Sequence, residues 1–215
     1  MADSRLRVTE LFYSLQGETS RAGLPTVFVR LTGCPLRCTY CDTEYAFQGG
    51  EWYSLPEILA AVAKHPTRHV TVTGGEPLAQ RDCAELLTAL CDAGNDVTLE
   101  TSGALDITPV DSRVARIVDI KTPGSGEDGR MLWTNLDALT PRDEIKFVLT
   151  SEDDYRWSRQ LLAEHRLPAF CAVLLSAAWG GLDPALLAEW ILRDGLNVRL
   201  QLQLHKILWG NQRGR

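Results

Sequence analysis

Three of the six cysteines lie within eight positions, in the run Cys34-Pro-Leu-Arg-Cys38-Thr-Tyr-Cys41, with the spacing C-x3-C-x2-C. Thiolates are soft ligands that suit zinc or an iron–sulfur cluster. A structural zinc needs a fourth protein ligand, normally Cys or His, and the first histidine is His65, inside a later helix. Cys83 and Cys91 recur on an apolar helical stripe and read as small core hydrophobes. Three ligands leave one metal position open, which points to chemistry rather than scaffolding. A zinc site completed by a distant residue is the alternative. With no secretion signal at the Met1-Ala2-Asp3-Ser4-Arg5 start, such a cluster reads as a metal or redox site rather than a disulfide framework.

The elements that must position this loop alternate between strand and helix. Thr26-Val-Phe-Val-Arg-Leu31 is a β-branched strand that feeds directly into the cysteines. A helix starts at Ser54, where Ser54 and Glu57 have the spacing of a capping box and Ile58, Leu59 and Val62 form an apolar stripe. Strands follow at His69–Thr73, Asp96–Glu100, Arg116–Lys121, Glu144–Leu149, Ala169–Leu175 and Asn197–Leu204. Helices fall at Gln80–Ala93, about Glu152–His165, and from the Asp183-Pro184 N-cap to near Gly195. This rhythm predicts an α/β fold: a partial, open TIM-like barrel of about six βα units. The chain is then one domain, 1–215, with a short N-terminal segment, about 5–24, before the barrel. Ligands in such sheets sit at the carboxyl ends of the strands, where Cys34, Gly74, Glu100, Lys121 and His205 gather. Thr122-Pro-Gly-Ser-Gly-Glu-Asp-Gly129 reads as a loop and a candidate lid.

Composition narrows the ligand class. The 215 residues are 45% hydrophobic and 23% charged, with a net charge of −6 and a pI near 5.3. No global positive field draws such a chain to nucleic acid or an anionic membrane, and no apolar run reaches the length of a bilayer span. A small-molecule ligand and a cytoplasmic location are expected.

C-x3-C-x2-C with an aromatic residue, Tyr40, before the last cysteine resembles the signature of the radical S-adenosylmethionine (SAM) superfamily. Thr73-Gly-Gly-Glu-Pro77 resembles that family's G-G-E-P element. The resemblance implies a [4Fe–4S] cluster on Cys34, Cys38 and Cys41, with SAM chelating the remaining iron and cleaved to give a carbon radical. It implies SAM contacts from Tyr40, Cys41, Asp42, Gly74, Gly75, Glu76, Ser102, Asp119, Ile120 and Lys121. Tyr40 would lie against adenine, Ser102 would bond ribose or carboxylate oxygens, and Lys121 would meet the SAM carboxylate. A strand-end salt bridge is the other reading of Asp119 and Lys121.

Within the superfamily the chain resembles the 7-carboxy-7-deazaguanine synthase family. The marks are Ser14-Leu-Gln-Gly-Glu18, Val29-Arg30-Leu31-Thr32-Gly33-Cys34, Cys41-Asp42-Thr43, Glu100-Thr-Ser-Gly103 and Gln203-Leu-His205-Lys206. The resemblance implies conversion of 6-carboxy-5,6,7,8-tetrahydropterin to 7-carboxy-7-deazaguanine with release of ammonia, a carbon–nitrogen lyase reaction of queuosine and 7-deazapurine biosynthesis. It assigns the pterin to Leu15, Gln16, Gly17, Glu18, Arg30, Thr73, Gln203 and His205, and Mg²⁺ to Thr43. It also implies a flavodoxin- or ferredoxin-type electron donor and a homodimer. Each residue keeps a plainer reading: an ion pair for Arg30, a loop cap for Thr43, turn chemistry around Gly17 for Gln16 and Glu18. His205 is read on the same face of an extended segment as Gln203; His65, His69 and His165 are incidental. Thr19 stands where the family carries Gly, and Asp119-Ile120-Lys121 where many members carry a Ser-Pro-Lys-type segment. The competing readings are a glycyl-radical-enzyme activase and a non-catalytic zinc-binding module.

Overall fold

Alternation along the strands sets the architecture. Val27, Val29, Leu31, Val70, Val72, Val97 and Leu99 are fully buried and pack with Ile58, Val62, Leu86, Leu87 and Leu90 in one core. Their sequence neighbours Phe28, Arg30, Thr71, Thr73, Thr98 and Glu100 therefore face the other side of the sheet. A second core joins Ile145, Phe147, Leu149, Val173 and Leu175 to Tyr155, Leu161, Leu162, Leu187 and Ile191. Apolar residues go toward the helices, and the polar and charged ones line the opposite, concave face.

The computed structural model describes residues 4–169 and 171–215. The Met1-Ala2-Asp3 start, and Phe170 within the expected Ala169–Leu175 strand, lie outside the described residues. Among the described residues nine strands form one sheet: β1 Arg5–Leu15, β2 Pro25–Leu31, β3 Glu51–Ser54, β4 His69–Gly74, β5 Asp96–Thr101, β6 Ala115–Asp119, β7 Glu144–Leu149, β8 Ala172–Ala177 and β9 Arg199–Gln201. Their order is β3-β1-β2-β4-β5-β6-β7-β8-β9. From β2 to β9 every neighbour is parallel, which is the open barrel expected, while β1 and β3 are antiparallel. The helices are α1 Leu55–Val62, α2 Cys83–Asp92, α3 Glu152–His165, α4 Pro184–Asp194 and α5 Leu204–Trp209. The connection over 102–114 is built from turns and that over 120–143 from turns and short 3-10 helices, in place of α-helices. Among the described residues no helix is long and apolar enough to cross a membrane.

Local signals explain the boundaries. Ser54 caps α1 in a full capping box with Glu57. Asp183 accepts from Ala185 N at 2.9 Å, and Gly195 ends α4 with φ +58. Elsewhere the structure departs from the sequence pattern. The helix expected from Gln80 begins at Cys83, because the Gln80 amide is used across the sheet: its Oε1 accepts from Arg7 N at 2.8 Å and its Nε2 donates to Arg7 O and Thr32 O. A β-bulge between Val8 and Glu10 swaps faces within β1: Leu6 and Val8 join the core, whereas Glu10 and Phe12 stand opposite Arg30 and Phe28 on the concave side. The expected strand Ala169–Leu175 starts at Ala172, after a 3-10 turn over Leu167–Ala169. The expected strand Asn197–Leu204 keeps only Arg199–Gln201; the chain then turns into α5, so His205 is helical rather than extended. The 122–129 loop is no free lid: Thr122 and Ser125 are fully buried.

Candidate active site

The concave face and the loops at the strand carboxyl ends enclose a cavity of about 710 Å³. It is lined by the cysteine loop, by Gln16–Glu18, by charges from β2, β5, β6 and β7, and by the 210–215 tail. A larger, shallower hollow of about 1060 Å³ lies outside β1 over Arg5, Arg7, Trp52 and Arg81; it holds none of the cysteines.

The cysteine loop leaves β2 and rests on the end of β4. A methyl group at Gly75 would stand 2.8 Å from Cys34 Cβ, so glycine is what lets the two backbones meet. Glu76 N donates to Gly33 O at 2.8 Å and Gly75 N to Leu31 O at 3.1 Å. Cys34, Cys38 and Cys41 are free and half-buried. Burial pushes all three thiols up, and the ammonium of Lys121 acts the other way. Among the described residues no three His, Cys, Asp or Glu side chains converge as ligands of a single ion; three thiolates that each hold a different iron of one cluster need not converge. Cys83, Cys91 and Cys171 are buried in the two cores and do not complete a zinc site at the loop.

Glu76 is wholly buried and spends its carboxylate internally, on Leu78 N, Thr101 Oγ1, Ser102 N and Ser102 Oγ. It ties the β4 end to the β5 end. Beside it, Lys121 Nζ lies 3.0 Å from Asp119 Oδ2 and 5.8 Å from the centre of the Tyr40 ring. Tyr40 Oη and Asp119 Oδ1 are buried without a hydrogen-bond partner among the described residues. Buried polar atoms without partners are costly, and both residues line the cavity that SAM would fill; the donor set fits that ligand.

On the opposite wall Glu18 is almost fully buried. Its Oε1 accepts from Gln203 Nε2 at 2.8 Å and its Oε2 pairs with Lys146. Lys146 also lies 3.8 Å from Asp119. Burial works against this ammonium, but Glu18, Asp119 and Glu100 outweigh it and hold its pKa far above the ordinary range. Gln16 reaches Thr71 Oγ1 at 3.2 Å and Glu100 at 3.4 Å, and Thr73 Oγ1 donates to Glu100 at 2.9 Å. Burial raises the Glu100 carboxyl. Arg30 donates through Nε to Glu10 at 2.7 Å, and the Tyr45 hydroxyl bonds the same oxygen at 2.8 Å. Among the described residues the outer guanidinium nitrogens of Arg30, which lines the cavity, make no hydrogen bond. His205 packs directly on Gly17, and Leu204 N donates to Gly17 O at 2.9 Å. Burial lowers the His205 pKa, which keeps the imidazole neutral at neutral pH. Thr43 Oγ1 donates to Asp42 Oδ1 at 2.8 Å, and Asp42 Oδ2 lies 3.3 Å from Lys206.

Of the residues singled out from the sequence, all line the cavity except Glu76 and Ile120. Glu76 braces the site from within, and Ile120 is fully buried in the second core, on the other side of the chain from Asp119 and Lys121. Thr19, in place of glycine, takes φ +68, a strained conformation for a β-branched residue; its hydroxyl accepts from Arg21 N at 3.2 Å. Sequence reasoning missed Lys146, Glu10, Tyr45 and the tail, in which Arg213 lies 4.0 Å over the Tyr45 ring. Lys146 carried a signal, a lysine inside the apolar run of β7, the same argument that singled out Arg30.

A three-cysteine loop at the carboxyl end of an open parallel barrel defines a radical SAM protein, and the Radical SAM superfamily model matches residues 28–152; the chain belongs to that superfamily. Within it, the chain is a member of the 7-carboxy-7-deazaguanine synthase family. It is 46% identical over 210 residues to the 7-carboxy-7-deazaguanine synthase of Chlorobaculum tepidum, covering 96% of each chain. It is 44% identical to that of Koribacter versatilis, covering 95% of this chain and 97% of the relative. The crystal structure of QueE from Escherichia coli superposes with a TM-score of 0.77 at 27% identity, covering 94% of this chain and 95% of that one.

Proposed function

We propose that the chain converts 6-carboxy-5,6,7,8-tetrahydropterin to 7-carboxy-7-deazaguanine with release of ammonia, as a radical SAM lyase of queuosine and 7-deazapurine biosynthesis. The observation that carries the reading is one cavity holding both the cysteine loop and the Gln16–Glu18–Gln203 edge, in a chain that matches its relatives over nearly its whole length. These relatives do not favour the activase alternative. The cluster and SAM, when bound, supply the carbon radical. Glu18 and Gln16 offer acceptors and donors to the amino and amide edge of the pterin, and Arg30 turns its free nitrogens to the pterin carboxylate. His205, neutral, offers a ring N–H, and Thr73 orients Glu100 beside the ring. Tyr40 gives adenine an apolar face, and Lys121 answers the SAM carboxylate. Thr43 and Asp42 form an oxygen-rich corner next to Cys41, which suits the hard ligand preference of Mg²⁺. A flavodoxin- or ferredoxin-type donor would deliver the electron. Homodimerisation fits the exposed Leu200 and Leu202 at the β9 edge and Ile207 and Leu208 on α5.

The test is an anaerobic assay of the reconstituted protein with SAM, reductant, Mg²⁺ and the carboxytetrahydropterin, read by product mass. A product lighter by ammonia with a deazapurine chromophore is expected. Slow release of 5′-deoxyadenosine with the pterin untouched would overturn the substrate assignment. In the same assay Gly17→Ala is expected to raise the KM for the pterin by about tenfold or more, as overpacking drives His205 from its seat, while the KM for SAM holds. Equal changes in both would show that the tail, not the pterin pocket, had been displaced.

A further inference from the structure

The cysteine loop has no regular secondary structure between Cys34 and Cys41, so its backbone groups must find partners elsewhere. Two amides that alternate with the cysteine ligands, those of Arg37 and Thr39, do so in one place. Thr39 N donates to Ser125 O at 3.0 Å, Thr39 Oγ1 to Gly124 O at 2.7 Å, and Arg37 N to Glu127 Oε1 at 2.6 Å. The 122–127 segment that supplies these acceptors is held from behind. Asp154, 2% exposed near the start of α3, accepts from Gly124 N at 2.8 Å through one oxygen. Its other oxygen accepts Thr150 N at 2.8 Å and Thr150 Oγ1 at 2.7 Å. A methyl group at Gly124 would collide with the Asp154 carboxylate and the Thr150 hydroxyl, so glycine lets the carboxylate reach the amide. Ser125 Oγ donates to Thr122 O at 2.6 Å and accepts from Glu127 N at 3.0 Å, which closes the turn.

We propose that the 122–127 turn is a clamp on the cysteine loop, set by Asp154, and that Asp154 and Glu127 are positioning residues for the cluster and for SAM. A carboxylate buried at the foot of α3 thereby governs the peptide between Cys38 and Cys41, including Tyr40. Among the described residues the clamp side chains make no hydrogen bond to Glu18 or Arg30, so its effects separate from theirs.

The test uses the reconstituted holoprotein. The double variant Thr39→Val, Glu127→Ala removes two surface hydrogen bonds and leaves the packing of both cores in place. Iron is expected to pass to a chelator about tenfold faster than from the parent, the size expected from losing two hydrogen bonds. The change that SAM induces in the electron paramagnetic resonance spectrum of the reduced cluster is expected to weaken, while the thermal midpoint of the iron-free protein hardly moves. Thr39→Ser, which keeps the hydroxyl, is expected to behave as the parent. Asp154→Ala should act in the same direction; should it fail to fold, the surface double variant still decides. Parent-like iron release and a parent-like SAM response in a folded double variant would overturn the clamp. So would an equal loss of stability in the iron-free protein, which would make these bonds merely structural.

Discussion

Alanine at Cys38 is expected to yield a folded protein without iron–sulfur absorbance and without measurable SAM cleavage, whereas alanine at Cys83 keeps both. The two cysteines differ in what surrounds them. Cys38 is half-buried on a loop at the cavity, within range of the Lys121 ammonium that opposes the burial cost of its thiolate. Cys83 is 1% exposed in the first core, and burial pushes its thiol up to about 12, so it stays protonated and behaves as a small apolar group. Its loss trims a packed core by one sulfur, worth about 1–2 kcal/mol, a fall of a few degrees in thermal midpoint for a chain of this size. Iron and sulfide analysis, absorbance and a melting curve separate the cases. Equal loss of iron from both variants would overturn the ligand assignment.

The elements that periodicity and capping describe were legible: Ser54 and Glu57 close a capping box, Asp183 and Gly195 bound α4, and Glu144–Leu149 and Glu152–His165 stand as read. What escaped depends on non-local geometry. The bulge after Val8 breaks the two-residue period of β1, and with it goes any sign that Glu10 faces Arg30. The strand before the tail was overread because Leu200, Leu202 and Leu204 alternate like a strand, yet Leu200 and Leu202 are exposed and the ladder ends at Gln201. Gln80 shows the same limit from the other side: its helical spacing is sound, but two strand backbone groups outbid the helix for its amide. In the site, motif residues were visible as types at spacings, whereas Lys146 owes its place to the registers that set β6 beside β7 and to a loop 128 positions away.

Methionine at Lys146 is expected to lower kcat/KM for the pterin by about a hundredfold or more, while SAM affinity changes far less. Lys146 is nearly enclosed, and its ammonium faces Glu18 on the pterin side and Asp119 on the SAM side. The two carboxylates do not depend on it equally. Asp119 keeps Lys121 at 3.0 Å, but among the described residues Glu18 retains only the neutral amide of Gln203 at 2.8 Å. Removing one partner of a buried ion pair leaves the other charge uncompensated, a penalty of about 3–5 kcal/mol. Under the proposed assignment, that penalty falls on the group that reads the pterin edge. Glu18 would then swing toward water, where it no longer accepts from the pterin as placed. Arginine at the same position restores the charge but not the shape of the ammonium, so partial recovery is expected, with KM improving before kcat. Steady-state kinetics with each substrate varied, together with SAM binding measured directly, decide the point. Loss of SAM affinity with an unchanged KM for the pterin would move Lys146 from the pterin wall to the SAM wall and make Asp119 the carboxylate it serves.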